Sequence, residues 1–355
     1  MNASNGKTIK VLIVEDSGVV AKFLTHVFES DPALEVVGIA TDGDEALEAV
    51  RRTSPDIITM DVHMPRLNGF EATRSIMESC PTPIVIVSGS YDQNEVAMNF
   101  EALEAGALAI TARPRGLGND GYDASSAELI KTIKLMSEIK VVKRWHRRKP
   151  LPVLSQSGPI RNLISPKTVQ LVAIGASTGG PLILQTILSQ IPKDFPVPIV
   201  IVQHMTPGFT EGFVEWLGNS TRFPVQQARH GEMLQPGHAY IAPDHHQMGV
   251  DSDMRALLYT GERENGMCPS VSFLFRSVDA VCGGKSVAIL LTGMGTDGVE
   301  ELKLLRDNGA VTIAQDKESS VVHGMPGAAI QINAAAHVLS PDGIARALAK
   351  IARKD

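Results

Sequence analysis

Cysteine is scarce in this chain: Cys80, Cys268 and Cys282 are the only three in 355 residues. So few, so scattered, exclude a disulfide framework and a cysteine-rich metal site, and each reads as a reduced thiol in a core or on a surface. Excess positive charge is also missing. The formal net charge of −6 argues against a general nucleic-acid binder, which needs a basic surface to draw in phosphates. There is no opening apolar segment and no long uninterrupted apolar stretch, so neither a signal peptide nor a membrane span is expected, and the chain reads as cytoplasmic. A dinucleotide fingerprint is absent too, because the glycine-rich turn GASTGG, 175–180, fails G-x-G-x-x-G.

What is present is the composition of a soluble globular protein, 43% hydrophobic and 20% charged, in a chain too long for one ordinary core. Two domains are expected. In the first, strands are predicted at Ile9–Val14, Glu35–Ile39, Asp56–Met60, Pro83–Val87 and Ala107–Thr111, with a helix after each of the first four. This alternation predicts a doubly wound parallel sheet. Glu15, Asp16, Asp61, Ser88 and Arg113 all fall at or just past strand ends, which share one crevice in such a sheet. Three carboxylates crowded together repel one another unless a hard cation lies among them, and Mg²⁺ suits carboxylate and phosphate oxygens. Asp61 could then accept a phosphoryl group as an aspartyl phosphate. The plain alternative is a set of solvated acidic caps.

On the VEDS pair, the MDVHMPRLNGFEA stretch, the VSGS strand end and the later Arg-Pro, residues 9 to about 130 resemble a response-regulator receiver domain. The resemblance implies phosphorylation at Asp61, Mg²⁺ held by Glu15, Asp16 and Asp61, and a switch made of Ser88 and Arg113. Receivers usually carry Lys where this chain has Arg113, and often an aromatic residue where it has Ile110. A planar guanidinium is not equivalent to a compact ammonium beside a phosphate. Residues 131–166 read as a helix end and linker: an amphipathic helix is predicted from Ser126 to Trp145, then a basic run to Lys149 and several prolines. That run could meet an acidic surface or nucleic acid, but a solvated linker face is preferred, with Trp145 packing on a domain.

The second domain, 167–355, opens on the apolar strand Leu171–Ile174. The strand is expected to break at Gly175 into a turn carrying Ser177, with a helix following Gly180-Pro181. A serine there sits beside helix-start N–H groups that suit a developing oxyanion. A phosphate-binding or purely structural glycine turn remains the alternative. His204 follows the strand Pro198–Val202, and Asp297 follows Val287–Leu291 within TGMGTDG. On parallel strands all three would meet at one rim as nucleophile, base and orienting carboxylate. Their chain order is not that of the usual α/β-hydrolases. Asp316 is the rival carboxylate. His245 and His246 beside Asp244 could bind metal, although adjacent residues on a strand face opposite ways. His230, His238, His323 and His337 read as structural. Segments Val225–Ala228, His238–Ala242 and Ala256–Tyr259 are expected to form an antiparallel hairpin region.

Through AIGASTGGP, VQHMTPGF, AYIAP, PSVSFLF, LTGMGTDG and VVHGMPGAA, the chain from about residue 169 resembles the catalytic domain of the CheB family of chemotaxis protein-glutamate methylesterases. The resemblance implies a mainly parallel-sheet α/β hydrolase domain behind a flavodoxin-like receiver. It implies a cofactor-free triad of Ser177, His204 and Asp297, with Thr178 beside the nucleophile and Met294 lending backbone near the oxyanion. Ser272 stands where the family often has Asp, a change expected to touch no triad member. The implied reaction is hydrolysis of glutamate methyl esters on chemoreceptor cytoplasmic helices, often with glutamine deamidation, under a histidine kinase as phosphodonor. Other readings are a same-fold esterase in a non-chemotaxis pathway, or a response regulator that only binds. No nucleic acid and no membrane insertion are expected.

Overall fold

Nearly continuous apolar runs build the sheets. The computed structural model describes residues 8–89, 93–141, 169–264 and 266–352, in two units, Met1–Pro152 and Val153–Asp355. The basic run with Trp145 and His146 lies outside the described residues.

In the first unit β1 (Ile9–Val14), β2 (Leu34–Ala40), β3 (Ile57–Met60), β4 (Ile84–Ser88) and β5 (Ala109–Ala112) alternate with α1 (Gly18–Glu29), α2 (Gly43–Thr53), α3 (Gly69–Ser79), α4 (Gln93–Ala105) and α5 (Tyr122–Ser137). The strands are all parallel, in the order β2-β1-β3-β4-β5. Strand β1 is flanked by β2 on one side and β3 on the other, so a crevice opens past their carboxyl ends. The β3–α3 loop folds back on that end. A Cβ on Gly69 would stand 2.0 Å from the Asp61 carbonyl oxygen, which no side chain tolerates. Asn68 caps α3 by accepting the Glu71 N–H at 2.9 Å. Helix α5 starts earlier than its apolar pattern suggested and ends at Ser137, because its buried stripe of Leu129, Ile133 and Met136 runs out there.

In the second unit β6 (Leu171–Ala176), α6 (Gly180–Leu188), β7 (Ile199–Gln203), α7 (Thr210–Thr221), β8 (Val225–Gln227) and β9 (Ala239–Ile241) are followed by β10 (His246–Val250) and β11 (Ala256–Thr260). Then come α8 (Val271–Cys282), β12 (Ser286–Leu290), α9 (Val299–Asp307), β13 (Val311–Gln315), α10 (Met325–Gln331), β14 (His337–Leu339) and α11 (Pro341–Ala349). Seven parallel strands pair in the order β14-β13-β12-β6-β7-β9-β8. Among the described residues, β10 and β11 alone form an antiparallel hairpin. The segments 225–228 and 238–242 therefore extend the main sheet and do not form a hairpin. Strand β9 is buried on both faces, as parallel pairing between β7 and β8 requires.

Strand β6 also runs further than its glycine suggested. Gly175 pairs with Leu290 and Val202, and the turn begins only at Ser177. The glycine makes room instead: a Cβ on Gly175 or on Gly298 would lie 2.3 Å from Cγ1 of Val271. Val271, Leu274, Phe275 and Val278 form the buried stripe of α8. Those two glycines let the first turn of α8 seat against the end of β6, so its N-terminus reaches the rim where Asp297 lies.

Candidate active site

At the end of β6, Ala176 is registered with Gln203 on β7, so Ser177 and His204 are the next residues out on adjacent parallel strands. The Ser177 N–H donates to the Thr292 carbonyl at 3.0 Å, and the His204 N–H to the Ala176 carbonyl at 2.8 Å. The Ser177 carbonyl accepts from the Gly180 N–H and from Nε2 of Gln203, each at 2.8 Å. Gln203 Nε2 also donates to the His204 carbonyl at 2.8 Å, so one buried amide braces both backbones. Helix α6 begins with Gly179 at φ +80° and no side-chain cap. The N–H groups of Thr178 and Gly179 donate to no group among the described residues, leaving donors for an anion at the helix start.

The β12 side closes against the same turn. Thr292 Oγ1 donates to the Thr178 carbonyl at 3.0 Å, and the Thr292 N–H is held by Oε1 of Gln315 at 2.8 Å. A Cβ on Gly293 would stand 2.6 Å from Cβ of Ser177 and 2.5 Å from Sδ of Met325. Met294, the next residue, is exposed.

His204 and Asp297 come together through Nε2 and Oδ2 at 2.9 Å. His204 Nδ1 is buried and has no hydrogen-bond partner among the described residues, which leaves it available as a base. The carboxylate of Asp297 is itself held by the start of α8. Its Oδ1 accepts from Ser270 Oγ at 2.9 Å and the Ser272 N–H at 3.0 Å, and its Oδ2 from the Val271 N–H at 2.7 Å. Burial pushes this carboxyl up, but the hydrogen bond and charge of His204, then the Val271 N–H and Ser272, overcome it and bring the pKa down to about 2. Ser272 touches this carboxylate through its backbone N–H, a contact that does not depend on which side chain stands there. Its Oγ accepts the Gly298 N–H at 2.9 Å.

The rivals lie elsewhere. Asp316 turns back onto Ser319, whose N–H it accepts at 3.1 Å, and stays within its own turn. His245 has a left-handed backbone at φ +60°, and His246 Nδ1 bonds the Asp244 carbonyl at 2.8 Å. Neither joins a metal-ligand cluster; among the described residues the one such cluster is Glu15, Asp16 and Asp61, with ligand oxygens within 4.8 Å of one another. Ser270, Thr292, Gln315 and Gln203 were not singled out from sequence as site residues. A serine just before the periodic run from Val271 is a helix-start signal that pointed to Ser270.

In the first unit Glu15 is buried and Asp61 nearly so. Arg113 Nη2 lies 3.2 Å from Oε2 of Glu15 and 3.8 Å from Oδ2 of Asp61. Burial first, then the charge of Asp61, raise Glu15 to about 7 against the opposing pull of Arg113. Asp61 is raised as well, by burial, although the His63 N–H and Arg113 oppose it. The Arg113 N–H donates to the Ser88 carbonyl at 2.7 Å, and a Cβ on Gly89 would strike its guanidinium at 2.8 Å. Crowded carboxylates that resist ionisation are a donor set matched to a divalent cation.

This fold and these two sites define a two-unit response regulator whose second unit carries a hydrolase-type constellation. Residues 11–116 match the response regulator receiver domain and residues 172–348 the CheB methylesterase domain. The chain belongs to the CheB methylesterase family. It is 54% identical over 345 residues to the protein-glutamate methylesterase/protein-glutamine glutaminase of Nitrosospira multiformis, covering 97% of each chain. It is equally 54% identical over 347 residues to a Syntrophus aciditrophicus protein of that name, covering 97% of this chain and 98% of the other. The solved CheB methylesterase catalytic domain of Thermotoga maritima is 36% identical, with a TM-score of 0.50, over 52% of this chain and 98% of that one. Among the described residues no helix is long and apolar enough to cross a membrane.

Proposed function

We propose that this protein hydrolyses glutamate γ-methyl esters on the cytoplasmic helices of chemoreceptors, and deamidates receptor glutamines, under phosphorylation control in the cytoplasm. The observation that carries the reading is the His204–Asp297 pair, whose Nδ1 has no partner among the described residues and whose strand end adjoins that of Ser177, in a chain similar over 97% of its length to a methylesterase/glutaminase.

His204 Nδ1 takes the Ser177 hydroxyl proton as Oγ attacks the ester carbonyl carbon. The Thr178 and Gly179 N–H groups, with backbone near Met294, receive the oxyanion. His204 returns its proton to the departing methoxide, releasing methanol. Water then attacks the acyl-enzyme with His204 again as base, freeing the glutamate carboxylate and Ser177. A glutamine follows the same course with ammonia leaving. Asp297 holds the Nε2–H tautomer and balances the imidazolium charge.

Asp61 accepts the phosphoryl group from a histidine kinase. Glu15, Asp16 and Asp61 would hold Mg²⁺, which supplies positive charge for phosphoryl transfer. Ser88 and Arg113 stand at the neighbouring strand ends to respond to the new phosphate. The deciding assay is methanol release from methylated receptor cytoplasmic fragments, with Ser177→Ala alongside. Release that disappears in Ser177→Ala supports the reading; equal release from both proteins overturns it.

A further inference from the structure

The Asp297 carboxylate is held by more than His204, and one of its partners is a side chain outside the nucleophile, base and acid. Ser270, fully buried, is the N-cap of α8. Its Oγ accepts the Phe273 N–H at 3.3 Å, which commits a lone pair and leaves the single hydroxyl proton for Oδ1 of Asp297 at 2.9 Å. The serine's own N–H is anchored by Oε1 of Gln247 at 2.8 Å. Gln247, on β10, is buried in turn and donates to the Met267 carbonyl at 3.0 Å.

We infer that Ser270 is a positioning residue for catalysis: its hydroxyl pins Oδ1 of Asp297, so that Oδ2 alone faces His204 Nε2 and the imidazole presents Nδ1 to Ser177. The inference rests on the triad reading above. The geometry gives its physical reason. A carboxylate can rotate about its Cβ–Cγ bond, and partial rotation would swing Oδ2 out of line with Nε2 of the imidazole. Backbone N–H groups of Val271 and Ser272 hold one oxygen each. The Ser270 hydroxyl adds the second donor that distinguishes Oδ1 from Oδ2. Among the described residues His204 is the one titratable side chain hydrogen-bonded to Asp297, and the other three donors there do not titrate.

The test uses the full-length protein, with Ser270→Ala and Ser270→Gly compared by methyl-ester turnover across pH. Glycine is a tolerated N-cap, so Ser270→Gly removes the hydroxyl while disturbing the helix start least. Both variants are expected to lose about 10-fold to 100-fold in kcat with KM within about two-fold, as for a group acting after binding. The acid limb of their kcat/KM profiles is expected to move to higher pH. With one donor fewer, more of the Asp297 carboxylate's charge is left for the imidazole it faces. Unchanged kcat in Ser270→Gly, or a fall with the acid limb unmoved, overturns the inference. Ser177→Ala, run in parallel, tests the triad separately: full turnover in that protein removes the premise, whereas its loss leaves Ser270 judged on its own data.

Discussion

Asp297 meets His204 at Nε2, 2.9 Å from Oδ2, and so the imidazole nitrogen without a partner among the described residues is Nδ1. The carboxylate selects the tautomer, because an ionised acid can only accept and the nitrogen facing it must carry the proton. Asp297→Asn keeps the shape but lets an N–H face the ring and favours the wrong tautomer. By analogy with the corresponding change in serine proteases, kcat is expected to fall by roughly 10⁴-fold. Methanol release under saturating substrate checks this.

Acid stability follows from the same carboxylate. Its folded pKa, about 2, lies below the ordinary 3.8, so it contributes stability that is complete above about pH 4 and is lost as pH falls through about 2. The contribution is on the order of 2 kcal/mol. Asp31 and Glu45 are also held below their usual values and keep their own slopes. Denaturant midpoints of the full chain between pH 5 and pH 2 should therefore fall less steeply in Asp297→Asn than in the unaltered protein.

Gly293 is packed too tightly for any side chain. A methyl there would stand 2.6 Å from Cβ of Ser177 and 2.5 Å from Sδ of Met325. Gly293→Ala is expected to displace Ser177 and lower turnover by about 100-fold, since misplacement of this size is costly to catalysis. Overpacking should also cost about 1–3 kcal/mol of stability. Parallel kinetics and thermal melts separate the two effects.

The receiver carboxylates predict a metal dependence. A small phosphodonor with Mg²⁺ is expected to raise methanol release, and chelation with EDTA to remove the rise while leaving basal release intact. Asp61→Ala should abolish the rise in the same assay. A rise that persists in Asp61→Ala would place the phosphoryl acceptor elsewhere.

The sequence by itself determined the two alternating α/β units and placed the polar residues of both candidate sites at strand ends. Buried parallel strands read as apolar runs, and the polar residues that end them, such as Asp61, Ser177 and His204, must fall on the rim of the sheet. That relation is local, so it is legible without knowing which strand pairs with which. The tertiary structure decided what depends on pairing. Strands β8 and β9 joined the main sheet because β7 offered a parallel edge, which a short strand's composition does not reveal. The placement of α8 against Gly175 and Gly298 brought Ser270, Val271 and Ser272 onto Asp297. Which nitrogen of His204 faces that carboxylate is likewise set by side chains far apart in the chain, and only closure of the fold brings them into contact.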